Sequence, residues 1–305
     1  MRWASAPGQP PPPQFVRPPP PKKGPGCFRV VVLMMLAAFL FCCCFVSAVM
    51  ESAEDPLAWK DLEKQLPTTN ERYLGDALVP DSLPASSARQ YHWRKAFASM
   101  GLGYGVSSEV HDEIEDQFQQ LSRDFRYRPG EGNNFTWAPP LSCKNKEWKC
   151  VFDAMAKENA DDIAPLTELF RKEQREKGLN ILQTTELVVS FVQNITYRLP
   201  TEETAAFGML PPVVVVADGS GDCDSKALLS VVILQQLGVD AHVLLGSSLG
   251  HAALGVNLPV TGKKFPHQGK KYAFVEVTQP GWGLGQLPPE YDVSKAWKVI
   301  PVDVP

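Results

Sequence analysis

The sequence has little of what marks several large classes of protein. Seven cysteines in 305 residues are too few for a disulfide scaffold. No His/Cys set stands at the spacing of a zinc site. Asp218, Asp222 and Asp224 begin like a calcium loop but lack the glutamate required at its twelfth position. The stretch Gly101-Leu102-Gly103-Tyr104-Gly105 has no strand signal ahead of it and does not read as a phosphate loop. No internal repeat is evident, and neither cofactor nor metal is expected. A basic surplus is missing too. The 30 Lys and Arg face 34 Asp and Glu, a formal charge of −4, which argues against nucleic acid as a partner. A hydrophobic content of 44% excludes a mainly disordered chain.

Residues 1–50 contain no acidic residue at all. Their five basic residues (Arg2, Arg17, Lys22, Lys23 and Arg29) give this segment +5, so the rest of the chain sums to −9. Residues 1–26 hold ten of the 28 prolines, and such a stretch prefers extended polyproline II geometry. Val30 to Met50 is a run of 21 uncharged residues in which only Ser47 is strongly polar. At a rise of about 1.5 Å per residue, a helix of that length matches a hydrocarbon core of about 30 Å. Lys22, Lys23 and Arg29 precede the run, and Glu51, Glu54 and Asp55 follow it. The positive-inside rule therefore orients it with the N-terminus in the cytoplasm and the acidic body outside. The expectation is a single-pass membrane protein with a signal anchor at residues 30–50, the membrane being one partner. A cleaved signal peptide is the competing reading, because Val46-Ser47-Ala48 is an acceptable cleavage site. Cys42, Cys43 and Cys44 within the run read as small apolar fillers, with palmitoylation as the alternative.

Residues 51–90 read as a linker, and 91–305 as one domain. A helix is expected after Ser107-Ser108, with Val110, Ile114, Phe118, Leu121 and Phe125 as its apolar stripe and Pro129-Gly130 as its stop. A second helical region runs from about Lys146 to Lys177, broken near Pro165, and a third spans about Thr184–Ile195. After Pro211 come the β-branched run Val213–Val216, the tight turn Asp218-Gly219-Ser220-Gly221, and a helix Cys223–Leu237 closed by Gly238. Ala241–Leu245, His251–Leu258 and Tyr272–Thr278 read as strands, with Trp297–Val302 as a fourth. Helices followed by an antiparallel sheet is an α+β order. Cys143 and Cys150 are either a disulfide or two reduced thiols. Asn134-Phe135-Thr136 and Asn194-Ile195-Thr196 are glycosylation sequons.

The chemistry gathers in Gly219-Ser220-Gly221-Asp222-Cys223-Asp224. The glycines turn the backbone tightly, and Cys223 lands in the first turn of a helix. The helix dipole and free N–H groups there favour a thiolate and could receive an oxyanion. Asp222 and Asp224 oppose this with negative charge. A thiol nucleophile needs a base and an orienting acid. His251 starts the second strand, and Glu276 lies on the third, where alternation puts Tyr272, Phe274, Glu276 and Thr278 on one face. Asp292 is the nearest downstream carboxylate that could replace Glu276.

This segment resembles the transglutaminase-like superfamily. The resemblance covers about Ile195–Gly285 and rests on Gly221-Asp222-Cys223-Asp224-Ser225, Leu237-Gly238, His251-Ala252 and Glu276-Val277-Thr278. It implies an α+β, papain-like core with a catalytic helix packed on a short antiparallel sheet; the N-terminal helices read from the pattern would precede this core, and the membrane segment read at residues 30–50 would precede the domain. It implies Cys223, His251 and Glu276 as the catalytic residues of a thiol enzyme on peptide or protein substrates. Water as acceptor would make it a cysteine peptidase or amidase, and an amine acceptor a transglutaminase. The chain departs from the family pattern in having Glu276 where Asp is usual and His-Ala-Ala where an aromatic commonly follows. Those departures sustain the alternative of a catalytically inactive domain that binds peptides or scaffolds an envelope complex.

Overall fold

The computed structural model describes residues 88–95, 98–130, 135–143, 147–200, 206–293 and 295–305. The described residues open with a hairpin of β1 (Ala88–Lys95) and β2 (Ala98–Gly105). The glycine-rich stretch Gly101–Gly105 is therefore strand. Helix α1 (Ser108–Asp124) is capped by Ser107, whose side chain accepts the Val110 N–H at 3.3 Å, and it buries Ile114, Phe118 and Leu121. The two-residue strands β3 (Arg128–Pro129) and β4 (Phe135–Thr136) pair antiparallel with each other.

Helix α2 (Glu147–Lys177) runs without interruption through Pro165, where a break was expected. A proline inside a helix costs about 3 kcal/mol through the lost hydrogen bond and a ring clash. Here Ile163 and Leu166 are fully buried on either side of it, so packing holds the helix through the defect. Cys143 and Cys150 are bonded as a disulfide, which ties the start of α2 to the segment before it. Helix α3 (Ile181–Asn194) begins with a reciprocal capping box between Asn180 and Gln183, and the short strand β5 (Thr196–Tyr197) leaves its end.

The valine run is helical. Helix α4 (Pro212–Asp218) has Pro212 at its first position, where φ is already set and the missing N–H costs nothing. Asn159 accepts the Val213 N–H at 3.0 Å, and all four valines are buried. Burial on every side overrides the modest helix penalty of β-branched residues. Gly219, at φ 65°, ends the helix in the left-handed conformation and leads into β6 (Ser220–Gly221), which pairs in parallel with β5.

Helix α5 (Cys223–Gln236) is central, with every residue from Cys223 to Leu234 buried. Strands β7 (Ala241–Gly246), β8 (His251–Val256), β9 (Lys264–His267), β10 (Lys270–Val275) and β11 (Lys298–Ile300) form one antiparallel sheet in the order β11-β7-β8-β10-β9. Strand β9 had no counterpart in the sequence reading. Both faces of the sheet are covered. Val243, Leu245, Ala252, Leu254, Ala273 and Val275 join the main core that contains α5. Leu244, Ala253, Phe265, Tyr272, Phe274, Trp297 and Val299 form a second, smaller core on the opposite face.

This architecture corrects the expected fold class. In place of a catalytic helix on a short papain-like sheet behind a transmembrane helix, the chain has five helices in a mixed α/β arrangement, counted among the described residues. Its five-stranded antiparallel sheet curls into a nearly closed, barrel-like form in which the edge strands β9 and β11 approach each other. The second core supplies the physical reason. Its aromatic side chains on one face must be buried, and curling the sheet around them does so.

The expected single-pass membrane placement is corrected as well. Among the described residues no helix is long and apolar enough to cross a membrane. The most completely buried helix, α5, has 14 residues. That is about 21 Å at 1.5 Å per residue, well short of a hydrocarbon core of about 30 Å. Residues 1–29, the run 30–50 with Cys42–Cys44, most of the linker 51–90 and the sequon at Asn134 lie outside the described residues.

Candidate active site

The turn before α5 is built to deliver Cys223. Asp222 caps the helix, its Oδ1 accepting both the N–H of Ser225 at 3.4 Å and, at short range, the Ser225 hydroxyl. The Ser225 hydroxyl oxygen in turn accepts the Leu210 N–H at 2.8 Å, so the cap is locked from outside the helix. A side chain at Gly221 would bring its Cβ to 3.2 Å from the Val215 methyls and 3.3 Å from Ser225 Cβ. The entry turn is therefore tight there, and a side chain would make Val215 or Ser225 give by a few tenths of an ångström.

Cys223 is a free thiol, only 2% exposed. The backbone of Ala252, the residue after His251, hydrogen-bonds its sulfur, which sets the thiol against the first residues of β8. Burial pushes the thiol well above its ordinary range, and the Asp224 and Asp222 carboxyls push the same way. The Ala252 bond opposes them and loses. Of the helix dipole and the two aspartates, which pull the thiol in opposite directions, the aspartates prevail with the help of burial. Asp224 is also shifted far upward, by burial and by Asp222 beside it, against the pull of the Ser225 amide, which donates to Oδ1 at 2.9 Å. Two carboxyls close together in a dry site disfavour each other's ionised form, and this adds to burial in raising Asp224.

His251 and Glu276 meet directly. The His251 Nε2 lies 2.9 Å from Glu276 Oε2, and both residues are buried. The other carboxylate oxygen, Oε1, accepts the Thr278 N–H at 2.8 Å and the Thr278 hydroxyl at 2.5 Å. Burial alone would raise the Glu276 carboxyl. The His251 bond and charge, with the two Thr278 bonds, outweigh it and hold the group below its ordinary value. An ionised carboxylate only accepts, so Nε2 is the nitrogen that donates to Glu276, and Nδ1 is the nitrogen left to exchange a proton.

Aromatic residues fix that ring. Tyr291 stacks on His251 with centroids 4.2 Å apart at 20°, and Trp297 meets it edge-on at 6.0 Å. Glu276 lies just past the end of β10 rather than within the strand. The Gln193 side chain clamps this segment, its Nε2 donating to the carbonyls of Glu276 and Trp282, each at 2.8 Å. Asp292, the alternative acid, instead pairs with Lys263 at 2.6 Å on the surface.

The structure thus joins His251 to Glu276 and places Cys223 against the residue that follows His251. Sequence reasoning missed the supports, namely Thr278 as the holder of Glu276, Tyr291 as the ring stack, and Gln193. Tyr291 sits in a proline-rich loop with no periodicity, so nothing local marked it. Asp222, Cys223 and Asp224 also offer metal-ligating atoms within 4.8 Å of one another. Their place at a helix N-terminus, the positive end of its dipole, works against a cation there.

Comparison with known proteins adds no identification. No family model matches the chain, and searches of curated proteins and of solved structures find no match.

Proposed function

We propose that the protein is a cysteine-dependent amide hydrolase or acyltransferase in which Cys223 is the nucleophile, His251 the base and Glu276 the orienting acid. The observation that carries this reading is the buried His251–Glu276 bond, with the Cys223 sulfur held at Ala252 beside it. The site chemistry fits the resemblance to the transglutaminase-like superfamily. Glu276 engages His251 and Thr278 simultaneously, so the longer side chain is accommodated where the family usually has Asp.

His251 Nδ1 takes the thiol proton as Cys223 Sγ attacks the substrate carbonyl. A C–S bond forms and the carbonyl electrons move onto oxygen. Main-chain N–H groups at the start of α5 are the natural oxyanion donors, since the cap engages the amide of Ser225 rather than that of Cys223. Collapse breaks the C–N bond, and the imidazolium passes its proton to the leaving amine. Water or a second amine then resolves the thioester, giving a peptidase or amidase in one case and a transglutaminase in the other. The raised thiol makes deprotonation part of the attack rather than a standing thiolate–imidazolium pair.

A second reading is favoured by one observation, the near-complete burial of a thiol between two aspartates. On that reading the domain binds peptides without catalysis. A thiol-directed amide probe separates the two. The enzyme reading expects Cys223 to be labelled and labelling to be lost in His251→Ala. A Cys223 that stays inert across pH 5–9 in folded protein leaves the binding module.

A further inference from the structure

Lys226 is a buried charge for which the proposed chemistry has no use. It lies on α5 one turn after Cys223 and is fully buried. Its Nζ donates to the carbonyls of Ile195 at 2.8 Å, Gln193 at 3.4 Å and Thr278 at 3.4 Å. Two of those carbonyls end α3, where helix carbonyls lack intrahelical partners and a cation is favoured by the dipole. The third belongs to Thr278, whose N–H and hydroxyl hold Glu276 Oε1. Glu276 is the carboxylate whose charge acts on the ammonium. A continuous set of contacts therefore runs from the nucleophile's helix through Lys226, Thr278 and Glu276 to the His251 ring.

We infer that Lys226 is a positioning residue that fixes the Glu276–Thr278 turn against the helix bearing Cys223, so that Glu276 keeps its bond to His251. A helix core position is an expensive place for an ammonium, because burial disfavours the charged form. A leucine or methionine would fill the same space without that cost, but it would leave the ends of α3 and the Thr278 carbonyl without a donor. Burial does push Lys226 down to about 8, with the Glu276 charge resisting. The ammonium survives at neutral pH because it has three carbonyl acceptors and a carboxylate close by.

The inference rests on the reading of Cys223, His251 and Glu276 as a triad, but its test does not depend on activity. The His251 Nε2 proton, shared with Glu276, gives a downfield imidazole resonance, assigned by its loss in His251→Ala. In Lys226→Met this resonance should broaden or vanish at pH 7, and labelling of Cys223 should slow at least tenfold. An unchanged resonance in folded Lys226→Met overturns the inference, whether or not Cys223 reacts. If Lys226→Met does not fold, Glu276→Gln carries the test with lysine labelled at Cε. Loss of the carboxylate charge should move the Lys226 titration below about 8, and an unmoved titration overturns the coupling. Failure of Cys223 to react, with both spectroscopic results as expected, would sink the triad's chemistry and leave the positioning contact standing.

Discussion

The Glu276 carboxylate meets the His251 ring with one oxygen and Thr278 with the other, at 2.9 Å to Nε2, 2.8 Å to the Thr278 amide and 2.5 Å to its hydroxyl. The acid is therefore held in a single orientation and fixes which ring nitrogen carries the proton. Glu276→Gln keeps the shape but replaces one acceptor oxygen with an NH2 donor. The ring must then change tautomer or lose its partner, and Nδ1 ceases to be the basic nitrogen assigned to it in the proposed attack. Labelling of Cys223 by an amide-type probe should fall by about 10⁴-fold, the order expected when a triad acid is replaced by its amide. Thr278→Val removes only the hydroxyl bond and should cost about tenfold or less. Equal rates for wild type and Glu276→Gln would remove Glu276 from the chemistry.

The raised Cys223 thiol gives a signature in simple alkylation. Iodoacetamide reacts with the thiolate, whose fraction stays small as long as pH lies below the thiol's own value. Burial, Asp224 and Asp222 all move that value upward, so the folded-state rate should climb steadily from pH 6 to pH 9.5 without a plateau. Replacing the neighbouring carboxyl in Asp224→Asn removes one of the groups that disfavour the thiolate, and the same curve should rise at lower pH. A plateau below pH 7 in wild type, the mark of a preformed thiolate, would contradict the assignment of a protonated resting thiol.

Much of this site was legible because local signals and long-range geometry agreed. Gly221-Asp222-Cys223 announced a turn into a helix, and the helix does begin at Cys223 with Asp222 as its cap. Alternation along β10 put Tyr272 and Phe274 on the face opposite Ala273 and Val275, as the two cores have them. Less was legible where residue type and tertiary context pull apart. Val213–Val216 has strand-like residues, yet Pro212 and burial on all sides make it helix. The curl of the sheet was not visible because it depends on a strand, Lys264–His267, that contains a proline and alternates poorly. Lys226 did leave a signal, a lone cation on an apolar helix, but its partners come from segments more than thirty residues away.

The bonded pair Cys143 and Cys150 closes a short loop, with a sequence separation of 7, at the start of α2. A loop of that size restricts the unfolded chain modestly, by about 2.5 kcal/mol on the chain-entropy account. The same region is tied to the C-terminal segment, since Lys149 pairs with Asp303 at 2.7 Å and Asp153 accepts the Asp303 N–H at 3.0 Å. Reduction, or the double substitution of both cysteines by alanine, should lower the unfolding free energy by about 2 kcal/mol in urea titrations. The His251 Nε2 resonance should stay in place, because neither cysteine touches the site. An unfolding midpoint that ignores reductant would show that the bond contributes nothing to the folded state's stability.

Lys226 makes stability depend on pH in a direction opposite to that of most salt-bridged lysines. Its folded value, about 8, lies below the ordinary 10.5 because burial penalises the ammonium more than Glu276 favours it. Between those two values the unfolded chain binds the proton more readily than the folded one. Stability therefore rises with pH through this window, and the full penalty is present below pH 8. The contribution recovered between pH 7.5 and 9.5 is about 2 kcal/mol by that linkage. Tyrosines whose hydroxyls are raised by burial, such as Tyr91 and Tyr104, pull the other way only near and above pH 10. The measurement is thus a difference, the unfolding free energy of wild type minus that of Lys226→Met at pH 7.5, 8.5 and 9.5. It should grow in favour of wild type by about 2 kcal/mol across that range. A constant difference would mean that Lys226 titrates like an exposed lysine, and the dry environment inferred for its ammonium would be wrong.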